Sequence, residues 1–178
     1  MIITLGGRFG SGKTTVAKIL AQRLGYERYS MGDFRKQIAK EKGMTIDQLN
    51  KLAERDPESD ILADKKLQEL AKTKDNLVIE TRTGFHLIPN SFKVGIVANL
   101  EESAKRIMAK NSEIQPYSSL KEAMKKVKEG WDSDYRRYKS LYGVDYTKPS
   151  HFDLFINSTN LTPNEVADRI LDAIKYKI

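Results

Sequence analysis

The sequence has no cysteine and only two histidines among its 178 residues. Disulfide bonds, a thiolate nucleophile and cysteine-ligated metal sites are therefore excluded. No apolar run approaches the roughly 20 residues that a transmembrane helix needs, and the N-terminus has no signal-peptide pattern. We expect a cytoplasmic protein, and the length favours one domain with an appended lid or small insertion.

Acidic residues are fewer than basic ones, 24 against 31, so the formal net charge is +7. A positive surplus suits a phosphate-rich ligand, but it also suits nucleic acid. Charge alone does not choose between these two classes of partner. The choice therefore depends on motifs and on their structural setting.

Residues 7–14 form a complete G-x-x-x-x-G-K-[ST] motif, the phosphate-binding loop of many nucleotide-binding proteins. An apolar run typical of a buried strand precedes the loop, and apolar residues at helical spacing follow it. Such a loop surrounds phosphate with backbone N–H groups and the positive end of a helix dipole. We expect Lys13 to reach the β- and γ-phosphates of ATP, and Thr14 to ligate Mg²⁺. The predicted nucleotide-binding residues are Gly7, Arg8, Phe9, Gly10, Ser11, Gly12, Lys13, Thr14 and Thr15.

Strand and helix patterns alternate along the rest of the chain. Further strands are predicted at 26–30, 77–80, 92–97 and 152–156. Capping boxes are predicted to begin helices at Thr45, Ser119 and Thr162, and Pro57 is predicted to open another. This alternation predicts an α/β fold in which helices cover both faces of a parallel sheet.

The phosphate-binding loop predicts nucleotide binding but not a reaction. A regulatory GTPase would also need D-x-x-G and N-K-x-D motifs, and neither occurs in this sequence. A motor or helicase ATPase would usually be larger. A small chain with a basic helical segment before its last strand favours a small-molecule kinase, in which a lid excludes water from the reaction.

Several segments together resemble the cytidylate kinase family of nucleoside monophosphate kinases, in the short form found in archaea and some bacteria. The resemblance runs nearly end to end and rests on residues 7–15, 29–35 (YSMGDFR), 80–82 (ETR), 132–138 (DSDYRRY) and 142–145 (YGVD). It implies a P-loop core with five parallel strands, a helical monophosphate-binding region at about 31–73 and a lid at about 111–143. The implied reaction converts ATP and CMP, or dCMP, into ADP and CDP, or dCDP.

The resemblance also implies roles for individual residues. Ser30, Asp33 and Arg35 would lie beside the acceptor nucleotide, although Ser30 and Asp33 are also good helix-capping residues. Arg82 would hold the acceptor phosphate, and Arg137 would reach the transferring phosphoryl group from the lid. The predicted catalytic residues are thus Lys13, Arg82 and Arg137.

The residues around Arg82 support this assignment physically. Arg82 follows the carboxyl end of a predicted strand, where open α/β sheets place their ligands, and a guanidinium can hold two phosphate oxygens at once. Glu80 ends the same strand and is predicted as a metal residue with Thr14, or as a partner that holds Arg82. Asp134 is expected to steady Arg137 as an i,i+3 pair.

Several positions depart from the family pattern, among them the loop after Arg82 at 83–86 (TGFH). Gly130 stands where an arginine is usual, seven residues before Arg137, so Lys128 or Arg136 would have to supply that charge. The arginine that commonly stacks on adenine is replaced by Lys110, and Arg106 could compensate. Arg136 and Arg137 project about 100° apart on a helix, so at most one of them is expected to face the phosphates.

Other functions stay open at this point, because no residue reads cytosine unambiguously. A kinase of the same fold could phosphorylate UMP, dephospho-coenzyme A or a small alcohol. The alternative from another class is a nucleic-acid-binding ATPase or a nucleotide-gated binding module. We expect a monomer. Nucleic acid is not expected as a partner, because the lysines at 121, 125, 126 and 128 have the pattern of a solvated helix face.

Overall fold

A single parallel sheet organises the protein, whose computed structural model describes residues 1–111 and 117–176. Its strands lie in the order β2-β3-β1-β4-β5, and each neighbouring pair is parallel. They are β1 (Ile2–Gly6), β2 (Glu27–Ser30), β3 (Leu77–Glu80), β4 (Phe92–Val97) and β5 (Leu154–Asn157). The predicted five-stranded parallel sheet is confirmed.

Helices connect the strands and cover both faces of the sheet. They are α1 (Lys13–Leu24), α2 (Met31–Glu41), α3 (Ile46–Ala53), α4 (Glu58–Thr73), α5 (Gly84–Leu87), α6 (Leu100–Asn111), α7 (Leu120–Tyr142) and α8 (Pro163–Lys175). None of these helices, over the ranges given, is long and apolar enough to cross a membrane.

The hydrophobic core is divided by the sheet. On one face, apolar residues of α1 and α8 such as Leu20 and Ile170 pack against β1, β3 and β4. On the other face, Leu67 of α4 and Met31 of α2 pack against Leu77 and Ile79 of β3. Helices α1, α2, α4 and α8 therefore bury apolar residues on the sheet, and the carboxyl ends of its strands meet at one edge.

Most predicted helix starts are confirmed by their hydrogen bonds. Thr45 and Thr162 form complete capping boxes with Gln48 and Glu165. Ser119 accepts the N–H of Glu122 at 3.2 Å, but this box does not close. The Glu122 carboxylate instead accepts the N–H of Ser118 at 2.7 Å.

The lid segment is a long helix that packs on its neighbour. Residues of α7, including Ala123 and Val127, pack against Ala104 and Ile107 of α6. Residues 112–116 of the predicted lid lie outside the described residues. The predicted strand 152–156 begins two residues later than expected, because the 3₁₀ turn Pro149–His151 occupies the approach to it.

Candidate active site

The phosphate-binding loop joins the end of β1 to the start of α1. Gly7 has φ +119°, and a Cβ there would lie 2.0 Å from the carbonyl oxygen of Ile96. Gly12, the N-cap of α1, has φ +89°. Both positions therefore require glycine. The backbone consequently folds closely over the helix N-terminus, where N–H groups and the helix dipole favour an anion.

Lys13 lies inside this loop. Its Nζ donates hydrogen bonds to the carbonyl oxygens of Gly7, at 2.9 Å, and Arg8, at 2.7 Å. Desolvation within the loop, followed by the positive charge of Arg82, lowers the pKa of Lys13 to about 7. The structure thus places the amino group among the backbone atoms that form the phosphate cradle.

Thr14 and Glu80 bring two oxygen donors together at the end of the sheet. The Thr14 hydroxyl donates to Glu80 Oε2 at 2.7 Å, and Glu80 is almost completely buried. Hydroxyl and carboxylate oxygens suit Mg²⁺, so the pair fits the predicted metal role. Across residues 1–111 and 117–176, no three His, Asp or Glu side chains are grouped to hold a metal by themselves.

The alternative prediction, that Glu80 holds Arg82, is wrong. The second oxygen of Glu80, Oε1, accepts a hydrogen bond from Arg28 of β2. The strands explain this choice, because β2 pairs with β3 and carries Arg28 to the same side of the sheet. Sequence reasoning missed Arg28, since the pairing of β2 with β3 cannot be read from the linear order.

Asp60 of α4 is the centre of a buried charge cluster. Arg137 donates to both Asp60 oxygens, through Nε at 3.0 Å and a terminal nitrogen at 3.2 Å. Arg35 forms an ion pair with the same carboxylate. Asn50 accepts from both guanidiniums, at 3.0 Å from Arg35 and 3.1 Å from Arg137. Helices α2, α3, α4 and α7 therefore meet through these side chains.

Asp134 links this cluster to the end of β3. Arg82 Nε lies 2.5 Å from one Asp134 oxygen, and Arg137 lies 3.4 Å from the other. The predicted Asp134–Arg137 contact is present, and Asp134 also engages Arg82. Three guanidiniums, from Arg35, Arg82 and Arg137, thus converge on the two carboxylates of Asp60 and Asp134. A guanidinium can hold two phosphate oxygens at once, so these three arginines suit a bound phosphate.

Ser30 and Asp33 lie at the start of α2. The Ser30 hydroxyl accepts the N–H of Asp33 at 3.3 Å. The Asp33 side chain is exposed and accepts from Lys36 at 3.1 Å. Ser30 therefore caps α2, and Asp33 lies in the first turn of this helix. The contact of both residues with an acceptor stays a prediction.

The lid helix contacts the phosphate-binding loop directly. Trp131 donates its indole N–H to the carbonyl oxygen of Phe9 at 2.8 Å. The Arg8 guanidinium lies 4.8 Å from the centre of the Trp131 ring, within the range of a cation–π contact. A cavity of about 300 Å³ opens beside them. It is also lined by Tyr146, whose buried hydroxyl has no hydrogen-bond partner among the described residues.

Gly130 faces this loop, since a Cβ there would lie 3.6 Å from the Phe9 ring. Neither predicted substitute for the missing arginine lies at that position. Lys128 pairs with Asp132 at 3.1 Å, and Arg136 pairs with Glu54. Both side chains are exposed. Arg8 of the phosphate-binding loop lies instead against Trp131, the residue that follows Gly130.

Arg106 lies at the junction of the loop, α6 and the segment after β5. It donates to the Ser11 carbonyl oxygen at 3.1 Å and to the Ser158 carbonyl oxygen at 2.7 Å. Lys110 is exposed. Arg106 therefore contacts the phosphate-binding loop, and its contact with adenine stays a prediction.

Asp60 and Asn50 are further site residues that sequence reasoning missed. The sequence did contain a signal for Asp60. Asp60 and Asp64 are spaced i,i+4, on the face of α4 that also carries Ala63 and Leu67. Acidic residues at that spacing within a buried helix face require partners. Their partners come from α2 and α7, and the sequence does not identify which.

Comparison with known proteins adds family information to this geometry. A family model described as the cytidylate kinase-like family matches residues 2–160. The chain is 36% identical over 177 residues to a cytidylate kinase of Haloarcula marismortui, which covers 98% of this chain and 90% of that protein. It is also 36% identical to an S-adenosylmethionine-dependent nucleotide dehydratase of Lacinutrix mariniflava, covering 96% of this chain but only 35% of that longer protein.

Solved structures show the same fold at lower sequence identity. An uncharacterised protein from Eubacterium ventriosum matches with a TM-score of 0.75 and 20% identity, covering 98% of each chain. A shikimate kinase from Aquifex aeolicus matches with a TM-score of 0.62 and 24% identity, covering 98% of this chain and 96% of that one.

Proposed function

The chain belongs to the cytidylate kinase-like family, and from this premise we propose that it transfers the terminal phosphoryl group of ATP to a nucleoside monophosphate, preferentially CMP or dCMP. The observation that carries the proposal is the convergence of Arg35, Arg82 and Arg137 beside the loop that holds Lys13. An acceptor that itself carries a phosphate needs such a second set of cations, whereas an alcohol does not.

The donor side of the reaction uses the phosphate-binding loop. ATP binds through the loop backbone and through Lys13, and the phosphate charge opposes the desolvation that lowers the pKa of this lysine. Thr14 and Glu80 would hold Mg²⁺, and their hydrogen bond keeps the two oxygen donors side by side. When bound, Mg²⁺ neutralises charge that develops on the transferring phosphates.

The acceptor side needs charge neutralisation rather than a general base. A phosphate monoester is largely ionised at neutral pH, because its second pKa is about 6. Its oxygen forms the new bond to the γ-phosphorus while the bond to the β-phosphate oxygen breaks, and ADP leaves with the electron pair. Arg82 and Arg137 reduce the repulsion between the two anions, and Arg35 holds the acceptor. Positioning and electrostatics supply most of the rate in such reactions.

We assign the acceptor region to α2–α4, within about 31–73, and the lid to α7, within about 111–143. Residues 112–116 of the lid range lie outside the described part of the chain. Arg137 and Arg136 of α7 bond to Asp60 and Glu54 of the acceptor region. These contacts support a lid that meets the acceptor region directly.

The dehydratase relative does not favour a second function. Two thirds of that protein has no counterpart in this chain. A nucleic-acid-binding ATPase is also less supported, because the α7 lysines are exposed and two of them pair with acids on the same helix. We propose a monomer that acts without nucleic acid.

An acceptor screen tests the proposed function. ATP is offered with CMP, dCMP, UMP, AMP, dephospho-coenzyme A or shikimate, and ADP release is followed by a coupled assay. We expect the highest kcat/KM with CMP or dCMP, no turnover of shikimate, and no stimulation by added RNA or DNA. Faster turnover of an alcohol, or ATP hydrolysis that depends on nucleic acid, would contradict the proposal.

The only tryptophan reports on the lid. Because Trp131 donates to Phe9 in the loop and Arg8 lies against its ring, nucleotides should change its surroundings. We expect a small change in emission with ATP or CMP alone. A larger change is expected with a linked bisubstrate mimic, which contacts both sides, since a ligand shifts a conformation only through differential contacts.

Matched variants make this measurement specific. Arg137→Ala should reduce the large change and leave the small ones, whereas Lys125→Ala, at an exposed position of α7, should preserve both. Unchanged Trp131 emission at saturation by calorimetry would remove the support for a lid at this position.

A further inference from the structure

Asp64 is a buried carboxylate that the proposed reaction does not use. It lies in α4 one helical turn after Asp60, so the two side chains share a face of the helix. Only 8% of Asp64 is exposed. Its Oδ2 atom is buried and has no hydrogen-bond partner among the described residues.

Within the described part of the chain, the charged groups around Asp64 do not donate a hydrogen bond to its Oδ2 atom. Arg35 and Arg137 are near enough to act on it electrostatically. The hydrogen bonds of Arg35, however, go to Asp60, Asn50 and Ser59, and those of Arg137 go to Asp60, Asn50, Asp134 and Tyr138. Burial, followed by the negative charge of Asp60, raises the pKa of Asp64 to about 7. A buried polar atom without a partner is costly. The acceptor region therefore contains one oxygen that lacks a donor.

We propose that Asp64 is a specificity-determining residue that accepts a hydrogen bond from the exocyclic amino group of the acceptor's cytosine. This inference rests on the proposed function. The acceptor phosphate is an anion, so it goes to the guanidiniums and is repelled by Asp64. The donor for Asp64 must then come from the nucleoside.

The position of Asp64 favours the base over the ribose. Asp64 lies about one helical pitch, roughly 5 Å, from Asp60 along α4, and Asp60 holds the arginines that we assign to the phosphates. Within a nucleotide, the base is farther from the phosphate than the ribose is. A carboxylate oxygen accepts from the amino group of cytosine, but it repels the carbonyl oxygen that uracil carries at the same position. Asp64 would therefore distinguish CMP from UMP.

The test compares steady-state kinetics of the wild type with Asp64→Asn, which keeps the shape, and Asp64→Leu, which removes both oxygens. We expect kcat/KM for CMP to fall roughly 10- to 100-fold in Asp64→Leu, the usual loss for a hydrogen bond to a charged group, and less in Asp64→Asn. The value for UMP should change less than about threefold, so the preference for CMP collapses. The loss for dCMP should match the loss for CMP.

Glu69→Gln is the matched control, because Glu69 is an exposed acid on the same helix, and it should leave the CMP-to-UMP ratio unchanged. Equal losses for CMP and UMP in the Asp64 variants, or no loss for either, would overturn the inference. A loss for CMP with none for dCMP would also overturn it, because the donor would then be the ribose 2′-hydroxyl. If the wild type phosphorylates no monophosphate, the proposed function itself has failed, which is a different result.

Thermal stability supplies a second readout. The groups facing Asp64 are Asp60 on its own helix, Arg35 on α2 and Arg137 on α7. Since the pKa of Asp64 is raised from 3.8 to about 7 by folding, the wild type loses stability as pH rises through this range. Asp64→Asn should therefore gain in Tm relative to the wild type between about pH 4 and about pH 8. A Tm below wild type at pH 8 would indicate a purely structural role and count against the inference.

Discussion

Lys13→Ala should lower kcat for phosphoryl transfer by on the order of 10² to 10³, the usual loss for one preorganised electrostatic contact. Lys13 is the cation of the phosphate-binding loop, and its amino group lies within hydrogen-bonding distance of two loop carbonyl oxygens. The fold should survive the change. Desolvation lowers the pKa of Lys13 to about 7, so holding this charge inside the loop is expected to oppose folding rather than support it.

The measurement is a coupled assay at saturating ATP and CMP, with thermal unfolding to confirm the fold. Lys18→Ala is the control, because Lys18 lies on the exposed face of the same helix and should keep wild-type kcat. Wild-type turnover in purified Lys13→Ala would show that the loop does not act as a phosphate site in this protein.

Asp60→Ala should lower the free energy of unfolding of the ligand-free protein by about 3 to 5 kcal/mol, the range seen when one partner of a buried ion pair is removed. Asp60 holds the guanidiniums of Arg35 and Arg137, and all three side chains are almost completely buried. Without the carboxylate, two buried cations lose their main partner and repel each other. Urea unfolding followed by circular dichroism measures the loss.

Asp168→Ala provides the comparison, because Asp168 pairs with Arg23 on the surface and such pairs contribute about 0 to 1 kcal/mol. The linked bisubstrate mimic should reduce the deficit of Asp60→Ala, since its phosphates replace the missing negative charge. If Asp60→Ala and Asp168→Ala unfold at the same urea concentration, Asp60 is not the centre of the cluster.

The local chemistry of the loop and of the helix starts could be predicted without the fold. The glycines and Lys13 of residues 7–14 act through backbone geometry within a few residues, and the capping boxes at Thr45 and Thr162 close over three. The positions of β1 and β3 also followed from apolar runs, because central parallel strands covered on both faces are largely apolar. These features depend on neighbours in the chain, so the linear order contains them.

The partners of the buried charges could not be predicted in the same way. Glu80 was a candidate partner of Arg82, yet Glu80 accepts a hydrogen bond from Arg28, and Arg82 forms an ion pair with Asp134. Lys128 and Arg136 were candidates for the charge missing at Gly130, yet they form ion pairs with Asp132 and Glu54. Arg8 lies against Trp131 of the lid helix instead.

The sequence by itself determined that this protein binds a nucleotide phosphate on a parallel α/β sheet, because the required motifs are short and local. Only the tertiary structure decided that Asp60 joins Arg35 to Arg137, and that Asp64 is left without a donor. Such pairings join residues up to 77 positions apart. They are selected by which helix packs against which and by the cost of burying a charge alone, and no local pattern carries that information.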